Sequence, residues 1–177
     1  MLVFVDETGT DRRDCMRRFG YSLRGRPAVS RKLLVRGQRV SAIVGMCCDG
    51  ILDLCTVKGI VGAEEFAKFI EECLLPQLQP FNGTNARSVV ILDNASIHHA
   101  EGMVDLIQST GTLVQFLPLY SPDIMPIEEL FSKIKGVLKI NEDVLSEEMD
   151  IETILLAAFC TITPDDCKNW ITHADYV

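Results

Sequence analysis

The 177-residue chain is 47% hydrophobic and 24% charged, a balance that suits one mixed domain with a sizeable core and leaves little room for two. No apolar run approaches the roughly 20 residues of a membrane-spanning helix, and the opening MLVFVDETG lacks the layout of a secretory signal, so a soluble intracellular protein without a membrane role is expected. The net charge of −8 argues against a phosphate backbone as partner, but the charge is unevenly spread: ten of the seventeen Lys and Arg residues lie between Arg12 and Arg39, with Asp14 the one acid among them. A solvated loop and a phosphate-binding surface both fit that basic segment.

The apolar run Leu2 to Val5 predicts a short buried strand that stops at Asp6. The basic stretch after it, punctuated by Gly20, Gly25, Pro27 and Gly37, predicts irregular or hairpin structure. Val40 to Cys47 and Ile51 to Val57 flank the turn-like Cys48-Asp49-Gly50 and predict a β-hairpin. Apolar residues at 63, 66, 67, 70, 73 and 74 have helical spacing, so a helix is expected from Ala63 to Leu75 with Pro76 ending it. After a polar loop, Ser88 to Leu92 is a buried strand that delivers Asp93 at its C-terminal end. A short helix over Ala100 to Ser109, stopped by Gly111, leads to a strand over Leu113 to Leu117, and this order predicts a parallel pair with a right-handed crossover. Pro118 to Pro126 is a stiff loop with three prolines. Ile127, Leu130, Phe131, Ile134, Val137 and Leu138 then mark a helix that starts near Pro126 and carries Glu128 in its first turn. An acidic stretch over 141–152 links to a helix around Thr153 to Thr161, and Thr163-Pro164-Asp165-Asp166 opens a terminal helical turn carrying Trp170.

The chemistry lies in three acids. Asp6 and Asp93 each end a strand of an α/β sheet, and Glu128 opens a helix; such strand ends are where open sheets place ligands. Carboxylates brought together repel one another, and a hard divalent cation, Mg²⁺ or Mn²⁺, is the usual remedy. The dipole at a helix N-terminus would hold Glu128 ionised, as a ligand requires. A lone strand-end Asp is more commonly a turn or capping residue, so the inference rests on the set. The seven cysteines contain no C-x-x-C pair and the three histidines, His98, His99 and His173, are not grouped with paired thiols; reduced cysteines and no structural zinc are expected.

The runs VFVDETG, VVILDNASIHHA and FLPLYSPDIMPIEELFSKIK resemble the three signature blocks of the mariner-type DNA transposases, in the superfamily named for its Asp, Asp and Glu triad, and 34 residues, 94 through 127, separate Asp93 from Glu128. RRFGYSLRGRP resembles that family's basic segment after the first strand, and ITPDDCKNWITHADY its C-terminal tail. The resemblance implies an RNase H-like fold, a mixed five-stranded sheet with helices on both faces, over a single catalytic domain of residues 1–177. It implies a metal-dependent DNA endonuclease and strand transferase, with Asp6, Asp93 and Glu128 as catalytic metal ligands for two Mg²⁺ or Mn²⁺ ions. DNA would be the substrate and a homodimer the active unit, in the nucleus of a eukaryote or otherwise the cytoplasm.

Neighbouring residues carry secondary expectations. Strand alternation turns Glu7 away from Asp6 into a structural role. Asn94 fits either turn chemistry or support of the ligands, and His98, at a position of the second block, fits either an approach to metal or phosphate or a cap. Glu129 is expected to pair with Lys133 at i,i+4. Arg12, Arg13, Arg17, Arg18, Arg24, Arg26, Lys133 and Lys135 are candidate DNA contacts. The sequence departs from the family in having Met125 where Asn is usual before Pro-Ile-Glu, and Phe131 where Trp is frequent. It also begins at the first catalytic strand, so the helix-turn-helix domains that recognise transposon ends are expected to be absent. The alternative function is a domesticated or inactive relic that acts as a DNA-binding or protein-interaction module. A phosphatase-type reading of Asp6-Glu7-Thr8 leaves the third block unexplained.

Overall fold

Five strands form one mixed sheet in the order β3-β2-β1-β4-β5. In this computed structural model, which describes residues 2–16, 19–29, 38–119, 121–141 and 150–176, β1 (Leu2–Thr10), β2 (Val40–Cys47) and β3 (Gly50–Lys58) run antiparallel in succession. β4 (Val89–Leu92) and β5 (Leu113–Phe116) add in parallel on the other side of β1. The two-residue turn Cys48-Asp49 closes the expected hairpin.

Strand alternation divides the interior into two cores. Val3, Val5, Ile43, Val90 and Leu92 face α1 (Ala63–Phe69) and α2 (Met103–Gln108). Phe4, Val44, Met46 and Ile91 face α3 (Ile127–Ile140), α4 (Ile151–Phe159) and α5 (Pro164–His173). Helices therefore cover both faces, in the arrangement of the RNase H-like fold. Burial of each large apolar side chain is worth about 1.5–3 kcal/mol. A one-residue slip of β1 would move Phe4 and Val5 to the wrong cores, so packing fixes the register and, with it, the side on which Asp6 emerges.

Four elements differ from the sequence expectation. β1 runs on through Asp6 to Thr10 because β2 keeps pairing with it as far as Thr10↔Val40, whereas its ladder with β4 ends at Phe4↔Ile91. Asp6 thus sits where the sheet has opened on the β4 side. Pro76 does not stop the first helix. A π-helical turn over Ile70–Leu74 keeps Ile70 and Leu74 in the core, and a 3-10 turn over Leu75–Gln77 accepts the proline in its first turn, where the missing N–H costs nothing. The helix expected over Ala100 to Ser109 is divided into a 3-10 turn, Ser96–His99, and α2, with Gly102 between them at φ 78, a backbone region that favours glycine. The terminal turn is a ten-residue helix, α5. The Thr163 hydroxyl accepts from the Asp166 N–H at 3.2 Å, the Asp166 carboxylate accepts from the Thr163 N–H at 2.9 Å, and Cys167 and Ile171 are buried. Most of the acidic linker, 142–149, lies outside the described residues. Among the described residues, no helix is long and apolar enough to cross a membrane.

Candidate functional site

Parity brings the acids together. Asp6 emerges on the same side of β1 as Phe4, and Asp93 directly follows β4; Phe4 and Ile91 are register partners and belong to the core beneath α3. The first turn of α3 sits over that core through Ile127 and Leu130, with Glu128 between them. The result is one cleft of ≈ 420 Å³ whose lining includes Asp6, Asp93 and Glu128, together with Asn94, Leu117 and Met125. Met125, which replaces the polar residue usual in the resembling family, is buried and packs into the α3 core instead.

The three acids differ in environment. Asp6 is 7% exposed and accepts the Glu7 backbone N–H at 2.7 Å. Burial, then the Glu7 charge, and more weakly those of Asp93 and Glu128, push its carboxyl up to about 8 against the pull of that N–H. An acid so buried among like charges is poorly matched to a cation-free site. Asp93 moves the other way: the hydrogen bond from His98 lowers its pKa, burial opposes, and the Ala95 N–H, 2.9 Å from Oδ1, lowers it further. Glu128 is exposed, and its backbone N–H donates to the Met125 carbonyl at 3.0 Å.

His98 is fully buried and bridges two of these carboxylate neighbours. Its Nδ1 lies 2.7 Å from Asp93 Oδ1, its Nε2 3.2 Å from Glu7 Oε2, and its ring packs 4.4 Å from that of Phe66. Burial disfavours the charged ring, but the hydrogen bonds to Asp93 and Glu7 outweigh it and raise its pKa to about 9. Among the described residues, Asp6, Glu7 and His98 offer ligand atoms all within 4.8 Å of one another. Both ring nitrogens of His98 are already engaged, so Glu7, His98 and Asp93 form a bridge that fixes Asp93 beside Asp6. Glu7 takes His98, 91 residues later in the chain, as its partner, which no local sequence signal announces, and its carboxylate stays within 4.8 Å of a ligand atom of Asp6. His98→Ala is expected to cost about 2 kcal/mol, because it strips a charge-assisted partner from two half-buried carboxylates and leaves a cavity. Urea unfolding measures this, and a loss below about 0.5 kcal/mol, the range of an ordinary surface change, would contradict the bridge.

Asn94 lines the same cleft, and both ends of its amide are engaged. Its Nδ2 donates to the Leu117 carbonyl, its Oδ1 accepts from His99 Nε2 at 2.9 Å, and His99 stacks on Phe116 at 4.2 Å. The loop after β4 is thereby tied to the end of β5, and one wall of the cleft is fixed. The expected Glu129–Lys133 pair does not form. The neighbouring α5 offers each a closer partner, so Glu129 meets His173 at 2.6 Å and Lys133 meets Asp166 at 2.5 Å, beside the Trp170 ring. Lys133 therefore ties α3 to α5; Lys135 is half-buried on the same helix. Arg13 pairs with Asp11 at 2.5 Å, Arg12 is half-buried, and Arg24 and Arg26 are exposed. Arg17 and Arg18 lie outside the described residues. Phe19, Tyr21, Leu23 and Val29 are 73% exposed or more, so residues 19–29 form an apolar and basic surface around Arg24 and Arg26.

Residues 1–148 match the family model described as DDE superfamily endonuclease. No curated protein sequence matches the chain. Among solved structures, the chain is similar to a pre-cleavage Mos1 transpososome, with TM-score 0.75 and 19% identity over 99% of this chain and 53% of that one. It is similar to the Mos1 mariner paired end complex with Mn, with TM-score 0.70 and 18% identity over 98% of this chain and 52% of that one. The isolated catalytic domain of Mos1 mariner transposase gives TM-score 0.67 and 16% identity over 99% of this chain and 78% of that one. At these identities the likeness is one of fold, and the chain spans about half the length of the transposase chains in the two complexes.

Proposed function

The chain belongs to the DDE superfamily endonucleases, and from that premise we propose that residues 1–177 act as one transposase catalytic domain that cuts and joins DNA phosphodiester bonds. Asp6, Asp93 and Glu128 are its metal ligands. The observation that carries this reading is the meeting of the three acids in one cleft, one of them buried among like charges.

The donor set fits the cations. Hard carboxylate oxygens suit Mg²⁺ or Mn²⁺, and positive charge at the cleft would offset the burial and like-charge repulsion that raise the Asp6 pKa. Mos1 transposase has been solved in paired end complexes with Mn and with Mg, and in a strand transfer complex; the same ions, two in number, and DNA are proposed here. When bound, the cations would supply Lewis acidity toward the phosphodiester and toward water or a DNA 3′-hydroxyl. The chain's own groups prepare for that. His98 holds Asp93 ionised and oriented, and Asn94 fixes the cleft wall. Residues 19–29, with Arg24 and Arg26, supply a surface that DNA or a second copy would cover in a homodimeric active complex. Such a substrate assigns the protein to the nucleus of a eukaryote or the cytoplasm otherwise.

A Mn²⁺ titration tests the reading without any substrate. An ion that binds the folded chain alone must stabilise it, by about 2.7 kcal/mol at a hundredfold excess over Kd, which for a domain of this size raises the melting temperature by about 5–10 °C. A melting temperature indifferent to Mn²⁺ and Mg²⁺ at neutral pH would overturn the metal site and favour an inactive relic.

A further inference from the structure

Glu128 is the least supported of the three acids. A second cleft, of ≈ 630 Å³, opens on its other side and is lined by Ile124, Glu129, His173 and Asp175 among others. Pro126, at the N-cap of α3, provides no side-chain cap. Besides the core packing of Met125, Ile127 and Leu130, a hold on this helix start comes from α5 and the turn after it. After α5 the backbone turns back in a Schellman motif: Asp175 takes φ 62, its N–H donates to the Thr172 carbonyl at 3.1 Å, and the Tyr176 N–H donates to the Ile171 carbonyl at 3.2 Å. This turn sends the Tyr176 ring edge-on to Phe4, with centroids 5.1 Å apart, and lets its hydroxyl donate to the Ile124 carbonyl at 2.9 Å.

Those two contacts have specific addresses. Phe4 is fully buried in β1, two residues before Asp6. Ile124 ends the 3-10 turn four residues before Glu128. One side chain thus spans the strand that carries the first acid and the loop that delivers the third, and the helix behind it is fastened to α3 by Lys133–Asp166 and Glu129–His173. All of α5 lies beyond residues 1–148, the extent of the family match.

We propose that Tyr176 is a positioning residue that sets the gap between Asp6 and Glu128; the inference rests on the metal-site reading above. Ligands held at the right separation bind a cation without reorganisation, whereas a loosened pair must be drawn together by the ion. Disturbing supports behind the ligands typically weakens metal affinity by about 10–100-fold.

The test is a Mn²⁺ titration of thermal stability in the full chain and in Tyr176→Phe, Tyr176→Ala and Glu128→Gln. Tyr176→Ala is expected to shift the Mn²⁺ midpoint upward by about tenfold and Tyr176→Phe, which lacks the hydroxyl alone, by a smaller factor. Both should recover the wild-type stabilisation at high Mn²⁺. A purely structural role would lower the metal-free melting temperature and leave the midpoint in place. Midpoints within twofold of wild type in both variants overturn the proposal, and if Tyr176→Ala does not fold, Tyr176→Phe decides alone. Glu128→Gln separates the two levels of argument. If it keeps the wild-type midpoint, the metal reading fails and the positioning role with it; if it loses the response while the Tyr176 variants bind normally, only the positioning role fails.

Discussion

Replacing Asp93 by alanine, or Glu128 by glutamine, is expected to lower Mn²⁺-supported nicking of supercoiled DNA by about 10³-fold or more, since a metal ion contributes several kcal/mol of transition-state stabilisation that is lost with its ligand. The two variants differ usefully in what else they disturb. Glu128 is exposed in the first turn of α3, and its amide isostere keeps the side chain's shape, so folding stability should change by no more than about 0.5 kcal/mol. Asp93 is the hydrogen-bond partner of buried His98, so alanine there removes half of the bridge and lowers stability as well. The decisive comparison is therefore Glu128→Gln, with circular dichroism and melting temperature measured beside the plasmid assay. A folded Glu128→Gln protein that nicks within tenfold of wild type would remove Glu128 from the metal site.

The reason three acids so far apart in sequence reach one cleft could be read largely from local patterns. Two apolar runs each lead into an aspartate, and a helical stripe from Ile127 to Leu138 places Glu128 in the first turn; alternation and helix phase then do the rest. What sequence did not show were the contacts that depend on which elements become neighbours. β1 outlasts Asp6 because its antiparallel partner, some forty residues on, is longer than its parallel one. Lys133 has an acid at i−4, but Asp166 of α5 comes closer. His98 read as a cap or a group near metal or phosphate because nothing near it in sequence announces Glu7 as its second partner. Tyr176 offers the same lesson over 52 residues to Ile124: a penultimate tyrosine carries no local signal that it will close a turn onto the first strand.

The metal-free protein is expected to lose stability as pH rises from mildly acid to alkaline, and the slope should come mainly from Asp6. Its folded pKa of about 8 stands above the ordinary 3.8, so the folded state holds the proton more tightly than the unfolded one. That contribution is fully present below 3.8 and is lost as pH rises through about 8. His98 acts in the same direction, with its contribution full below 6.5 and lost through about 9. Asp93, lowered from 3.8, is stabilising above that value and loses its contribution only in acid. Each pKa unit is worth about 1.4 kcal/mol, so the Asp6 contribution is on the order of a few kcal/mol. Asp6→Asn imitates the protonated acid at every pH. Its metal-free melting temperature should exceed that of wild type by about 5 °C or more at pH 8, using about 2–4 °C per kcal/mol, and the advantage should vanish near pH 4. Mn²⁺ takes over the proton's task in wild type and has much less to relieve in the variant, so saturating Mn²⁺ at pH 8 should close or reverse the gap. A metal-free wild-type melting temperature that stays level from pH 5 to 9, or an Asp6→Asn protein with the same slope as wild type, would show that Asp6 is not the strained acid of this site.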